Sequence, residues 1–424
     1  MKIVCSQNPT ALDHAEGIAF AMYTSPTSGE IGRIGSSIPI ELRRAGFIVD
    51  AVSWDFLTIA LAVIGADQGC LRQGSADGWT RQIDLCVSVQ SPLTWRPHAA
   101  ALEKALGFLT GDIWTLEFAA GGPTPPAPPK RRRRGQRRPS GDIVCLLSGG
   151  MDSLVGAIDL VDQGKTPILV SQRASGDSDR QRAFAAKIGP SLTHLQLSHA
   201  ARPPGTAERS QRARSIIFLA YGLLAAAALR ASGVAEPVQL VVPENGFISM
   251  NVPLTNLRIG TLSTRTTHPF FLEQIQAIWA AVGLSVEIEN PYQFRTKGEL
   301  LTGCRRQDLL QKLASQSTSC GRFGRYGYKH CGRCIPCLVR RAAFLKWGQP
   351  DGTEYEFADL KAQRDFDDVR SLAMACLRVQ ADGVERWAAG AISYAELGDP
   401  TPFMETVGRG IDEARDLLRA SGVL

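Results

Sequence analysis

The chain sets the string Ser148-Gly149-Gly150-Met151-Asp152-Ser153 between an apolar run, residues 143–147, and a helically patterned stretch, 154–163. A glycine pair at such a junction lets the backbone approach an anion. The first N–H groups of the helix then point at it, and the Ser148 and Ser153 hydroxyls add donors. The string therefore predicts a phosphate site at the carboxyl end of a strand, in a sheet whose strands alternate with helices. The lysine of the G-x-x-x-x-G-K-[ST] loop is missing, which excludes that class of nucleotide hydrolase.

Further strand-like runs at 167–170, 192–197, 238–242 and 285–288 are separated by helix-length segments, so this half should be a parallel α/β sheet. Upstream, 121–141 (GGPTPPAPPKRRRRGQRRPSG) passes from Pro-rich to Arg-rich without apolar periodicity and reads as a linker. Residues 1–120 hold strand-like 2–6, 82–89 and 114–118 with helical 56–64 and 99–109, and are expected to be an α+β accessory or partner-binding domain. Such a linker should transmit little packing energy between the halves. Trp54, Trp79, Trp95 and Trp114 are expected in cores or interfaces. Residues 142–348 form the nucleotide domain, and 349–424 a helical tail with helices at 359–380 and 402–418.

Composition adds limits: 424 residues with 44% apolar and 21% charged suit two or three globular domains. Net charge is +6, and the seven basic residues of 130–138 leave the remainder at −1. That run is expected to be a solvated linker, with RNA or DNA as the partner it would otherwise hold. No leader-like segment opens the chain, and the longest apolar run, 216–229, has the length of a core helix. No membrane and a cytoplasmic location are expected, where ten cysteines should be thiols or metal ligands. Cys320, Cys331, Cys334 and Cys337 stand as C-x10-C-x2-C-x2-C, a spacing that can close a tetrahedron around Zn2+. Arg333, Arg340 and Arg341 should offset its negative charge, and His330, beside Cys331, is poorly placed to substitute.

SGGMDS resembles the pyrophosphate loop of the PP-loop ATP pyrophosphatases, which imply an adenine nucleotide α-hydrolase-like core and cleavage of ATP to AMP and pyrophosphate. On that resemblance Ser148, Gly149, Gly150, Met151, Asp152 and Ser153 hold ATP, with Asp152 orienting the loop or binding Mg2+. Arg212 and Arg214 in RARSIIFL are similar to the basic residues that neutralise departing pyrophosphate. With PENGFISMNVPL, Lys297 in RTKGELL and the four cysteines, the order of motifs over about 200 residues resembles the 7-cyano-7-deazaguanine synthase (QueC) family. The resemblance implies adenylation of 7-carboxy-7-deazaguanine, then attack by nitrogen.

The extra N-terminal domain, the tail and IGTLSTRTTHPFF from Ile259 depart from that family. They look like the QueC-like proteins of bacterial antiphage systems, QatC and the type IV CBASS component, which imply transfer of the acyl group to the N-terminal amine of a partner protein. Glu244, Asn245 and Asn251 follow a strand and are candidates for substrate contact, as are Arg265, Thr266 and Thr267. His268 is a candidate base for the attacking amine; Asp365, Asp367 and Asp368 are expected on a solvated helix face. Catalysis is expected of Asp152, Ser153, Arg214, Lys297 and His268. The alternatives are a free amide or nitrile synthase, a tRNA-modifying PP-loop enzyme, and a catalytically silent zinc and nucleotide-binding module.

Overall fold

The computed structural model describes residues 1–26, 29–127, 139–174, 176–254 and 265–424. The basic run 130–138, with its expected nucleic-acid alternative, and residues 259–264 of the divergent segment lie outside them.

The N-terminal half contains β1 (Lys2–Ser6), β2 (Ile18–Met22), β3 (Gly32–Ile34), β4 (Gln82–Ser88) and β5 (Ile113–Ala119) in the order β3-β2-β1-β4-β5, and every pairing is parallel. This corrects the α+β expectation: the half is α/β. The two strands that sequence reasoning missed explain the error. β2 is buried at four of its five positions and so lacks alternation, and β3 is only three residues long.

The second sheet has the five expected strands, β6 (Ile143–Leu146), β7 (Pro167–Gln172), β8 (His194–Leu197), β9 (Val238–Val241) and β10 (Val286–Glu289), again all parallel. Their order is β10-β9-β6-β7-β8. Chain order runs outward from β6 through β7 and β8 on one side and resumes at β9 on the other. The carboxyl end of β6, where the glycine pair begins, is thus a topological switch point.

Helix Ala51–Gly69 starts at Asp50, whose side chain accepts from Ser53 N–H at 2.8 Å, and is apolar on nearly every side. A helix of that kind must be covered all round. The first sheet covers one flank and helix Arg214–Ala231, equally apolar, covers the other; Phe56 meets Trp279 edge-on at 5.3 Å. One continuous hydrophobic core consequently includes residues from both sheets, contrary to the loose coupling expected across the linker. Both helices are long and apolar enough to cross a membrane, yet both are mostly buried inside the fold.

The tail forms helices Asp367–Asp382, Val384–Ile392 and Thr401–Ala420. The first begins eight residues later than its expected start, after an irregular stretch. The apolar stripe of Thr401–Ala420, with Phe403, Val407 and Ile411, packs against Phe247 and the helix Ile335–Trp347.

Candidate functional site

Gly149 has φ +90°, a left-handed conformation that favours glycine, and it turns the chain from β6 into helix Met151–Asp162. The loop is tied internally. Ser148 N–H donates to Ser153 Oγ at 3.1 Å, the two hydroxyls lie 3.0 Å apart, and Gly150 N–H donates to Ser148 Oγ at 3.2 Å. Neighbours brace it: Gln181 Nε2 donates to the Ser148 carbonyl at 3.1 Å and Thr318 N–H to the Gly149 carbonyl at 2.9 Å.

Asp152 is 4% exposed. One carboxylate oxygen pairs with the Lys297 ammonium; the other accepts from Asn245 N–H at 3.0 Å and Asn245 Nδ2 at 2.7 Å. Burial acts to raise the Asp152 pKa, but the Lys297 charge and the surrounding hydrogen bonds outweigh it and hold the carboxyl below its usual range. Glu244 moves the other way: burial, then the adjacent Asp152 charge, push it well above the ordinary carboxyl value. Of the two adjacent carboxyls, Glu244 is thus the one whose surroundings favour the protonated form. Both Asp152 oxygens are engaged, one by Lys297 and the other by Asn245.

Lys297 is itself held by the tail. It follows the N-cap Thr296, which forms a capping box with Glu299. Thr296 Oγ1 donates to Glu413 of helix Thr401–Ala420, which also accepts from Gly298 N–H at 3.2 Å, and Arg409 Nε binds Glu299 at 2.6 Å. Neither Glu413 nor Arg409 stood out in the sequence, because nothing in an amphipathic helix marks which of its polar residues meets a distant cap.

A cavity of about 830 Å³ opens beside the loop. It takes walls from Ser148 and Ser153, from Arg212 and Arg214, and from Glu244 and Asn251. Ligand clefts usually measure roughly 300–1,000 Å³, so there is room for a nucleotide. A smaller space of about 230 Å³ continues past Asp152 and Lys297. Arg214 reaches Gln172 Oε1 at 3.4 Å, and Arg212 donates to the Thr110 carbonyl at 3.1 Å with its guanidinium 3.9 Å from the centre of the Trp79 ring. Burial lowers the pKa of both arginines, that of Arg212 to about 10.

The expected substrate residues divide. Thr266 and Thr267 line the cavity, and Thr267 Oγ1 is buried without a hydrogen-bond partner among the described residues. Asn245 both caps helix Gly246–Met250, accepting from Ile248 N–H at 3.1 Å, and grips Asp152, so it positions rather than faces a ligand. Asn251 closes that helix at φ +47° while its side lines the cavity.

Arg265 turns away, donating to the Phe108 carbonyl at 2.9 Å and lying over the Phe108 ring. His268, expected as a base, is not part of the cavity wall: its Nδ1 accepts from Phe270 N–H at 3.2 Å as the cap of helix Pro269–Ala281, and its ring sits against Phe108 and Tyr394. Burial, helped by Arg265, drops its pKa to about 3, which keeps it neutral. Asp368 also departs from expectation. It is buried, pairs with Arg322 at 3.3 Å and lines the cavity, because it falls with Val369 and Leu372 on the buried side of helix Asp367–Asp382.

The four cysteines are buried and their sulfurs all lie within 4.8 Å of one another. Cys320 to Cys334 measures 3.9 Å and Cys331 to Cys337 4.0 Å. A Zn–S bond of about 2.3 Å makes tetrahedral S···S edges of about 3.8 Å, so the donor set fits Zn2+. Backbone N–H groups of Arg322 and Cys331 donate to Cys320 Sγ, and that of Cys334 to Cys331 Sγ, each at 3.3 Å, which suits thiolate charge. Gly332, at φ +81°, is required between these ligands: a Cβ there would lie 2.4 Å from the Phe357 carbonyl oxygen. His330 accepts from Ser319 N–H at 3.1 Å and stays out of the cluster. Arg340 is buried and fastens Ser317 and Thr353, while Arg333 lies over Phe357 and Phe366 and Arg341 bonds the Ala358 carbonyl; all three build the scaffold around the knuckles. Cys334 and Pro336 form part of the cavity wall, and the Thr318 bond to Gly149 joins the same segment to the glycine loop.

These features define a mixed α/β protein with two parallel sheets and a buried four-cysteine cluster suited to a metal. No family model matches the chain. It is 40% identical over 74 residues to a 7-cyano-7-deazaguanine synthase of Paracoccus denitrificans, a stretch that makes up 18% of this chain and 29% of that protein. The chain thus spans less than a third of that relative's length.

Proposed function

We propose that the chain is an ATP-dependent enzyme of the 7-cyano-7-deazaguanine synthase type, which activates a 7-deazaguanine carboxylate and forms a carbon–nitrogen bond. The observation that carries this reading is the glycine loop at the switch point of the second sheet, with the Asp152–Lys297–Asn245 constellation behind it and Arg214 across the same cavity. The short, 40%-identical stretch shared with a synthase of that name supports it.

In this reading the loop N–H groups and Ser148 and Ser153 receive the phosphates of ATP, supplied with Mg2+. A carboxylate oxygen attacks the α-phosphorus and the α–β bond breaks, releasing pyrophosphate, whose charge Arg212 and Arg214 offset. Nitrogen then attacks the acyl carbon and AMP leaves with the oxygen. Lys297 and Asn245 keep Asp152 ionised and the loop in place. Cys320, Cys331, Cys334 and Cys337 would hold Zn2+, which would fix the wall of the cavity beside the loop.

The finer form of the proposal takes the N-terminal amine of a partner protein as the acceptor, in antiphage defence; its support is the resemblance of the chain's additions to QatC and the type IV CBASS component. Incubation with ATP and 7-carboxy-7-deazaguanine should yield AMP and pyrophosphate, and ADP as sole product would overturn the reading. Intact mass spectrometry of co-expressed partner proteins, with and without a deazaguanine supply, separates conjugation from release of a free amide or nitrile.

A further inference from the structure

Trp79 belongs to the N-terminal half, yet it lines the same cavity as the glycine loop. It is 42% exposed, whereas Trp54, Trp95 and Trp114 are buried as expected of packing residues. Its backbone is fixed on both sides. Trp79 N–H donates to Asp77 Oδ1 at 2.8 Å, and its carbonyl accepts from Arg72 Nη1 at 2.8 Å.

Arg72 in turn belongs to a buried network. It makes two bonds to Asp112, at 2.7 and 2.9 Å, and Asp112 and Asp67 also bind Arg81, which is wholly buried. The network reaches into the nucleotide half. Arg72 N–H donates to Glu208 at 3.0 Å, Arg72 Nε to Ser210 Oγ at 3.0 Å, and Asp67 accepts from Ala213 N–H at 3.0 Å. Ala213 lies between the two arginines expected to meet pyrophosphate, so the N-terminal half fixes the segment that carries them.

Arg212 supplies a second, independent sign of a ligand. It is 6% exposed and lines the cavity, yet among the described residues its guanidinium makes a single hydrogen bond, to Thr110. It also lies 3.9 Å from the centre of the Trp79 ring. A planar cation seated over an indole whose backbone is hydrogen-bonded on both sides makes a braced shelf, and this half-exposed indole lines the cavity. Purine-like rings stack on such surfaces whatever their substituents.

We propose that Trp79, backed by Arg212, is a stacking shelf for the fused heteroaromatic ring of a ligand, contributed to the site by the N-terminal half. The inference rests on the reading of the cavity as a site for ATP and a deazaguanine, both of which carry such a ring.

The test is calorimetric titration of the full-length protein with two separate probes, α,β-methylene-ATP, whose α–β linkage resists cleavage, and 7-carboxy-7-deazaguanine. Trp79→Ala should weaken binding of one probe about tenfold and leave the other within about twofold, which identifies the ring on the shelf. Trp79→Phe, which keeps an aromatic face, should retain most of that affinity. Unchanged affinity of Trp79→Ala for both probes overturns the shelf while leaving the functional reading intact. Equal loss for both, or a phenylalanine variant as weak as the alanine one, overturns it too, because stacking would then not be the cause. If the unaltered protein binds neither probe, the functional reading fails first and the shelf falls with it.

Discussion

The Lys297 ammonium and the Asp152 carboxylate, 145 residues apart in the chain, form an ion pair with almost no exposure to water. Breaking such a pair from one side leaves an uncompensated buried charge, a loss of about 3–5 kcal/mol. Lys297→Met should therefore lower the urea midpoint steeply, and Asp152→Asn combined with Lys297→Met should recover much of the stability. Neither variant should release pyrophosphate. A single variant that unfolds at the unaltered midpoint would contradict the buried pairing.

The metal is expected to be part of the fold. One zinc per chain should be found by elemental analysis, and Cys334→Ser should lower both zinc content and Tm, because metal binding and folding are coupled. Since Cys334 also walls the cavity, this variant should bind ATP more weakly as well. Metal-free protein with unaltered Tm would refute the assignment.

His268 leads to a pH prediction. Its folded-state pKa, about 3, lies below the ordinary 6.5, so the native form refuses a proton that the unfolded chain accepts. The stability linked to this group is complete above pH about 6.5 and is lost as pH falls towards 3, by at most ~1.4 kcal/mol per pH unit. His268→Asn keeps a capping oxygen. It should show a shallower loss of unfolding free energy below pH 6.5, by about one proton, in urea titrations repeated across that range. An equally steep loss would contradict the neutral, buried cap.

Glu413 tests the tail. Glu413→Ala removes the acceptor for Thr296 and Gly298 and should loosen the cap that carries Lys297, costing about 1–3 kcal/mol and slowing pyrophosphate release. Glu413→Gln, which retains an acceptor, should lie between. Full activity in the alanine variant would show that the tail does not position Lys297.

The second sheet was legible because β6 and β7 are fully buried apolar runs and the other strands are short β-branched or alternating runs set apart by helix-length segments, and the glycine loop because its backbone chemistry is local. The cysteine cluster was legible for the same reason: its ligand spacing is written along a short segment. β2 was hidden by its near-uniform burial and β3 by its brevity. The roles of Arg265, His268 and Asp368 were misread for a different reason. Each is chosen by what packs opposite it, Phe108 for the first two and Arg322 for the third, and those partners lie far away in sequence.

The linker also misled, because composition describes the connector and says nothing of the surfaces it joins. Deletion of residues 1–120 should strip one flank of helix Arg214–Ala231 and remove the support of Ala213, so the remainder should aggregate or lose cooperative thermal unfolding. A truncated chain that melts like the full-length protein would contradict the shared core.

That core also sets an order of events during translation. Helix Ala51–Gly69 emerges from the ribosome with its own sheet but with its outer flank bare, and stays so until residue 231 has left the exit tunnel. Throughout that interval the nascent chain displays an aliphatic surface that only its own later sequence can cover. Holdase chaperones should therefore dwell on this chain, and a synonymous-codon change that slows elongation between the two helices should lower soluble yield without altering a single residue.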